Sequence, residues 1–68
     1  MYQQNKRVMK RFSKSKSYLG KDGFSYVYDC KYRGFYQFYK FLDTHTPLNT
    51  YTEAEVLELE LTEEKNLY

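Results

Sequence analysis

The chain has 68 residues, with nine Tyr and five Phe but one Cys, one His and a formal net charge of +2. A lone cysteine excludes an intramolecular disulfide, and one Cys with one His cannot fill a four-ligand zinc site. One domain of this length buries only about 60% of its unfolded surface, so the aromatic rings, at about 150–250 Å² each, have to build the core.

The small net charge conceals a dipolar chain. Residues 1–40 carry ten Lys/Arg against Asp22 and Asp29, a net +8, whereas residues 41–68 carry Lys65 against seven acidic residues, a net −6. A basic segment of this kind is attracted to phosphate backbones or acidic surfaces. The first 20 residues contain no continuous apolar run, and no stretch approaches the roughly 20 apolar residues of a membrane span. The expectation is a cytoplasmic protein with no membrane association. Phe, Tyr, Met, Asn and Lys outnumber Gly, Ala, Arg and Pro by 27 to 8. That bias suits a small gene of an AT-rich bacteriophage, which would place the protein in the host cytoplasm.

In chain order, residues 4–14 read as a basic amphipathic helix. Val8, Met9 and Phe12 share one arc, and Lys6, Arg7, Lys10, Arg11 and Lys14 share the opposite one. The like charges at i,i+4 repel, so this face calls for an acidic neighbour. Ser13, Ser15 and Ser17 mark a connector, and residues 1–17 together form a basic arm. Gly20-Lys21-Asp22-Gly23 signals a turn, after which Phe24, Tyr26, Tyr28, Cys30 and Tyr32 alternate with other residues as in a strand. Arg33-Gly34 suits a two-residue hairpin, setting Tyr32 opposite Phe35, Cys30 opposite Gln37, Tyr28 opposite Tyr39 and Tyr26 opposite Phe41. Phe24, Tyr26, Tyr28 and Phe41 are then expected in the core. The aromatic density of residues 35–43 favours a strand, although Phe35, Phe38, Tyr39 and Leu42 also fit a helical spacing. Residues 45–50 read as a loop. The alternation of Leu57, Leu59 and Leu61 with glutamates favours a further strand, with a helix capped by Thr52 and Glu55 as the alternative. Residues 18–61 thus form an antiparallel core, and 62–68 a polar tail.

The expected fold is therefore α+β, a single small domain in which the N-terminal basic helix packs on three or four antiparallel, aromatic-rich strands. An all-β meander is the alternative. Catalysis has little foundation: Cys30 falls on an apolar strand face, His45 in a polar loop, and the glutamates alternate as a solvent face does. The expectation is a protein with no enzymatic activity, no cofactor and no metal site. Basic residues interleaved with tyrosines are what a single-strand platform needs, since cations meet phosphates and rings stack on bases. The candidate nucleic-acid-binding residues are Lys6, Arg7, Lys10, Arg11, Lys14, Lys16, Lys31, Tyr32, Arg33 and Tyr36. The expected partner is RNA or single-stranded DNA. The alternative is a phage-type inhibitor, counter-defence or antitoxin-like, that blocks a host protein such as a nuclease or toxin. A homo-oligomer joining basic to acidic ends is a third option.

Overall fold

A computed structural model describes residues 11–67. Its strands are β1 (Lys16–Leu19), β2 (Ser25–Tyr32), β3 (Phe35–Phe41), β4 (Leu48–Tyr51) and β5 (Thr62–Asn66), with one helix, α1 (Glu53–Leu59), between β4 and β5. All pairings are antiparallel in the order β4-β3-β2-β1-β5. β1 to β4 follow one another across the sheet, so β4 and β5 end on opposite edges. The chain between them must cross the whole sheet, about 19 Å for four strand spacings. It does so over one face, where α1 packs against β3 and β4.

Strand register explains which rings are covered. Tyr18 pairs with Tyr26, Tyr28 with Phe38 and Tyr36 with Tyr51, and paired residues share a face. On that face Tyr18, Tyr26, Tyr36 and Phe38 are buried with Val56 and Leu61 of the crossing segment. Phe12 lies edge-on to both Tyr18 and Phe38, with ring centroids 5.1 Å away in each case. The chain thus closes its core with rings in edge-to-face contact, each pair adding about 0.5–1.5 kcal/mol beyond burial.

The N-terminal helix expected on the sheet is not shown. Residues 1–10, including Val8 and Met9, lie outside the described residues, and residues 11–15 run through irregular chain and a turn. Local hydrogen bonds replace helical ones there: the Ser13 amide donates to the Tyr18 hydroxyl at 2.8 Å, and the Ser15 amide to Ser13 Oγ at 3.1 Å. Serine side chains that bond nearby backbone compete with a helix in this way. The α+β arrangement is accordingly corrected: the described residues form a five-stranded antiparallel sheet with one short helix near the C-terminal end.

That helix occupies the segment where leucine-glutamate alternation favoured a strand. Its N-terminus has the full capping box, with the Glu55 amide donating to Thr52 Oγ1 at 3.2 Å and the Thr52 amide to Glu55 Oε1 at 2.8 Å. Two orphan donors are satisfied reciprocally, and Glu53 and Glu55 complement the helix dipole. Glu60 ends the helix in the left-handed conformation, φ 50°. β5 then forms in the stretch read as a polar tail, and β4 begins inside the stretch read as a loop.

Candidate nucleic-acid interface

The Arg33-Gly34 turn closes the β2–β3 hairpin with φ of 52° and 83°, the double left-handed geometry of a type I′ turn. Tyr32 opposite Phe35 and Cys30 opposite Gln37 match the expected register, but an irregularity between Tyr28 and Cys30 then shifts it by one. Tyr28 meets Phe38 and Tyr26 meets Lys40 in place of Tyr39 and Phe41. A bulge inserts one residue and so exchanges faces beyond it. Tyr26 and Tyr28 therefore face the core, whereas Cys30 and Tyr32 belong to the other side of the sheet.

Among the described residues no helix covers that other side. Register places Tyr32, Phe35, Gln37, Tyr39 and Phe41 on it, with Val27 beside Tyr39 and Leu48 on its other flank. Tyr32, Phe35, Tyr39, Phe41 and Leu48 are all exposed, Tyr32 at 59% and Phe41 at 47%. Phe41 was expected in the core; the bulge turns it outward. Phe24, also expected inside, precedes β2 and carries the Lys40 ammonium 4.6 Å from its ring centroid. From Phe35 to Phe41 the row of side chains extends about 20 Å, with same-face positions roughly 7 Å apart. That is a row of exposed rings that a polar sheet surface would not offer.

The expected site residues divide as follows. Lys6, Arg7 and Lys10 lie outside the described residues. Arg11 and Lys14 precede β1 and are exposed. Lys31 and Arg33 stand at the hairpin end, their cations 5.0 Å from the Tyr36 ring centroid and 5.3 Å from that of Tyr32. Tyr36, at 5% exposed, is a core residue and offers no surface for stacking. Lys16 is engaged, its ammonium 3.0 Å from Glu63 Oε1. Phe35, Tyr39 and Phe41 were missed as surface rings because only the bulge reveals which face they share.

Internal neutralisation is limited. Among the described residues the ion pairs are Lys16–Glu63, Lys21–Glu60 and Lys40–Asp22. Arg11, Lys14, Lys31, Arg33 and Lys65 have none, so the C-terminal glutamates do not quench the hairpin end. Cys30 is half-buried, and burial with the adjacent Asp29 carboxylate pushes its thiol above the ordinary range. It is a poor nucleophile there. No group of three or more His, Cys, Asp or Glu able to hold a metal occurs among the described residues, and no helix there is long and apolar enough to cross a membrane. Comparison with protein-family models, with curated proteins and with solved structures finds no match.

Proposed function

We propose that the protein binds single-stranded nucleic acid, RNA or DNA, along the open face of its sheet. The observation that carries this reading is the exposed row Tyr32, Phe35, Tyr39 and Phe41 running up to a hairpin end whose cations have no acidic partner among the described residues. Bases stack on the rings and Arg33, beside Tyr32 at the hairpin end, meets phosphates; Lys31, which shares the opposite face with Tyr36, and Lys14 and Arg11 add to the positive field. Lys6, Arg7 and Lys10 add charge of the same sign. Stacking contributes about 1–3 kcal/mol per base and phosphate contacts release counterions, so two separable contributions sum at one surface.

The test is fluorescence anisotropy of labelled oligouridine and oligothymidine over a range of salt. The logarithm of affinity is expected to fall linearly with the logarithm of salt concentration, by about 0.7 per phosphate contact. Arg33→Glu flattens that slope, while Tyr39→Ala weakens binding by about 1–3 kcal/mol with the slope unchanged. Failure of both oligonucleotides to bind at low salt overturns the reading.

A further inference from the structure

Beside Phe41 the open face deepens into a groove of about 190 Å³, lined by Ser17, Ser25, Val27, Phe41, Glu64, Lys65 and Leu67. Its space equals roughly six waters, the scale of one planar heterocycle. Most of the lining is apolar, yet a carboxylate stands in it. Glu64 belongs to the irregular pairing of β1 with β5, where Ser17 meets Lys65 and Tyr18 meets Glu63, leaving Glu64 as the extra residue. Two hydroxyls hold it: Ser17 Oγ donates to Glu64 Oε1 at 3.2 Å and Ser25 Oγ donates to the same oxygen at 2.8 Å. Ser17 is itself 3% exposed, so one of these tethers is rigid. Oε2 accepts no hydrogen bond among the described residues.

Negative charge is misplaced on a surface that binds phosphates unless it reads something else. An ionised carboxylate only accepts hydrogen bonds, so what it can favour is a base edge made of donors. Guanine presents two adjacent donors, N1–H and N2–H, on its Watson–Crick edge. Adenine and cytosine present one amino donor beside a ring nitrogen that accepts, and uracil sets its single N–H between two carbonyl oxygens. Those acceptors face the carboxylate with like polarity. Unpaired bases are recognised on these edges while their faces stack on side chains.

We propose that this groove takes one guanine of a bound single strand, its ring against Phe41 and Val27, its Watson–Crick donors on Glu64 and its phosphate near Lys65. The inference rests on the nucleic-acid reading above and adds a base preference at one position of it. Glu64 is the specificity-determining residue, and Ser17 and Ser25 position it.

The test compares a nine-residue oligouridine with versions whose central base is guanine, inosine or adenine. Inosine keeps N1–H and lacks the amino group. For the native protein the guanine strand is expected to bind tightest, roughly 5- to 150-fold over adenine, the range of one good bidentate contact, with inosine between. Glu64→Gln keeps an acceptor for the two serines and presents an amide to the base. It is expected to abolish the guanine preference while leaving oligouridine binding equal or tighter, because a repelling charge is gone. Unchanged near-ultraviolet dichroism of the tyrosines confirms that the variant is folded. Equal affinity for all four strands, or a guanine preference that survives Glu64→Gln, overturns the inference and leaves the stacking surface standing. Binding of none of the four overturns both.

Discussion

The hydroxyl of Tyr26 donates to Asp22 Oδ2 at 2.6 Å, tying the most deeply buried tyrosine of the sheet to the turn that leads into its strand. The same carboxylate accepts the Phe24 amide at 3.0 Å through Oδ1 and lies 3.5 Å from the Lys40 ammonium. A hydrogen bond to a charged group is worth about 1.5–3 kcal/mol. Tyr26→Phe keeps the ring and deletes that bond. The expected loss is about 1.5 kcal/mol, seen as a Tm lower by roughly 6 °C or more in a domain of this size. A Tm within a degree of the native value would show that the bond adds nothing net.

The same cluster predicts an acid limb. Partial burial pushes the Asp22 carboxyl up, but the Tyr26 hydroxyl, the Phe24 amide and the Lys40 ammonium favour the carboxylate and hold the net value below the ordinary 3.8. The folded value thus lies below the unfolded one. Its contribution is fully present above about pH 4 and is lost as pH falls through the folded value. Asp22→Asn is expected to be less stable than the native protein at neutral pH and to lose less stability between about pH 4 and pH 2. Denaturant melts across that window, run in parallel, check both signs.

Gly20 guards this arrangement. A Cβ built there would lie 2.8 Å from Asp22 Oδ1 and 2.9 Å from Tyr26 Cε1. Tyr26 is wholly buried and cannot swing aside, so the side chain or the turn must shift. Gly20→Ala is expected to destabilise by about 1–3 kcal/mol, the usual cost of overpacking. By contrast, Gly23→Ala meets no neighbour, and its cost arises from its φ of 89°. Urea midpoints of the two variants, at equal m-value, measure the two effects separately.

Legibility in the sequence followed the reach of each signal. The hairpin turn at Arg33-Gly34 and the capping box at Thr52 and Glu55 are local chemistry, so both could be read from a few residues. The leucine-glutamate alternation of residues 57–61 pointed to a strand because three leucines two apart satisfy that template. The capping box and the left-handed Glu60 bracket a helix that buries Val56 and half-buries Leu59 instead. The bulge after Tyr28 has no marker residue such as glycine, and with it went the faces of Phe41 and Tyr39. β5 was illegible for another reason: every one of its residues is exposed, so no apolar periodicity exists to find. Its place is fixed by pairing with β1, a contact 43 or more residues distant in sequence.

Glu60 holds a φ of 50° at the helix end, where glycine is the usual residue. An L-residue there costs about 1–2 kcal/mol. The Lys21–Glu60 pair that it supports is 3.5 Å long and exposed on both sides, and such pairs contribute about 0–1 kcal/mol. Strain outweighs the pair. Glu60→Gly is expected to raise stability by about 0.5–1 kcal/mol, a Tm gain of around 4 °C by calorimetry. A fall in Tm would mean that the ion pair is the larger effect.

On the proposed nucleic-acid reading, Arg33 sets stability against binding within one residue. Its φ of 52° at the first central position of the hairpin turn is one that asparagine tolerates far better, and Asn-Gly is the preferred pair for this turn. Retaining arginine there is explained if its guanidinium, 5.3 Å from the Tyr32 ring centroid, serves the surface beside it. Arg33→Asn is therefore expected to shift two measurements in opposite directions. Tm rises by a few degrees as the turn relaxes, and affinity for oligouridine falls with a salt slope flatter by about 0.7, one phosphate contact on a single strand. A variant that gains stability and binds as before would remove Arg33 from the interface and shift the positive charge that matters to Lys31, Lys14 and Arg11. A variant that loses both properties would show that the turn itself positions the platform, because Tyr32 and Phe35 flank it directly and depend on its geometry for their place on the open face.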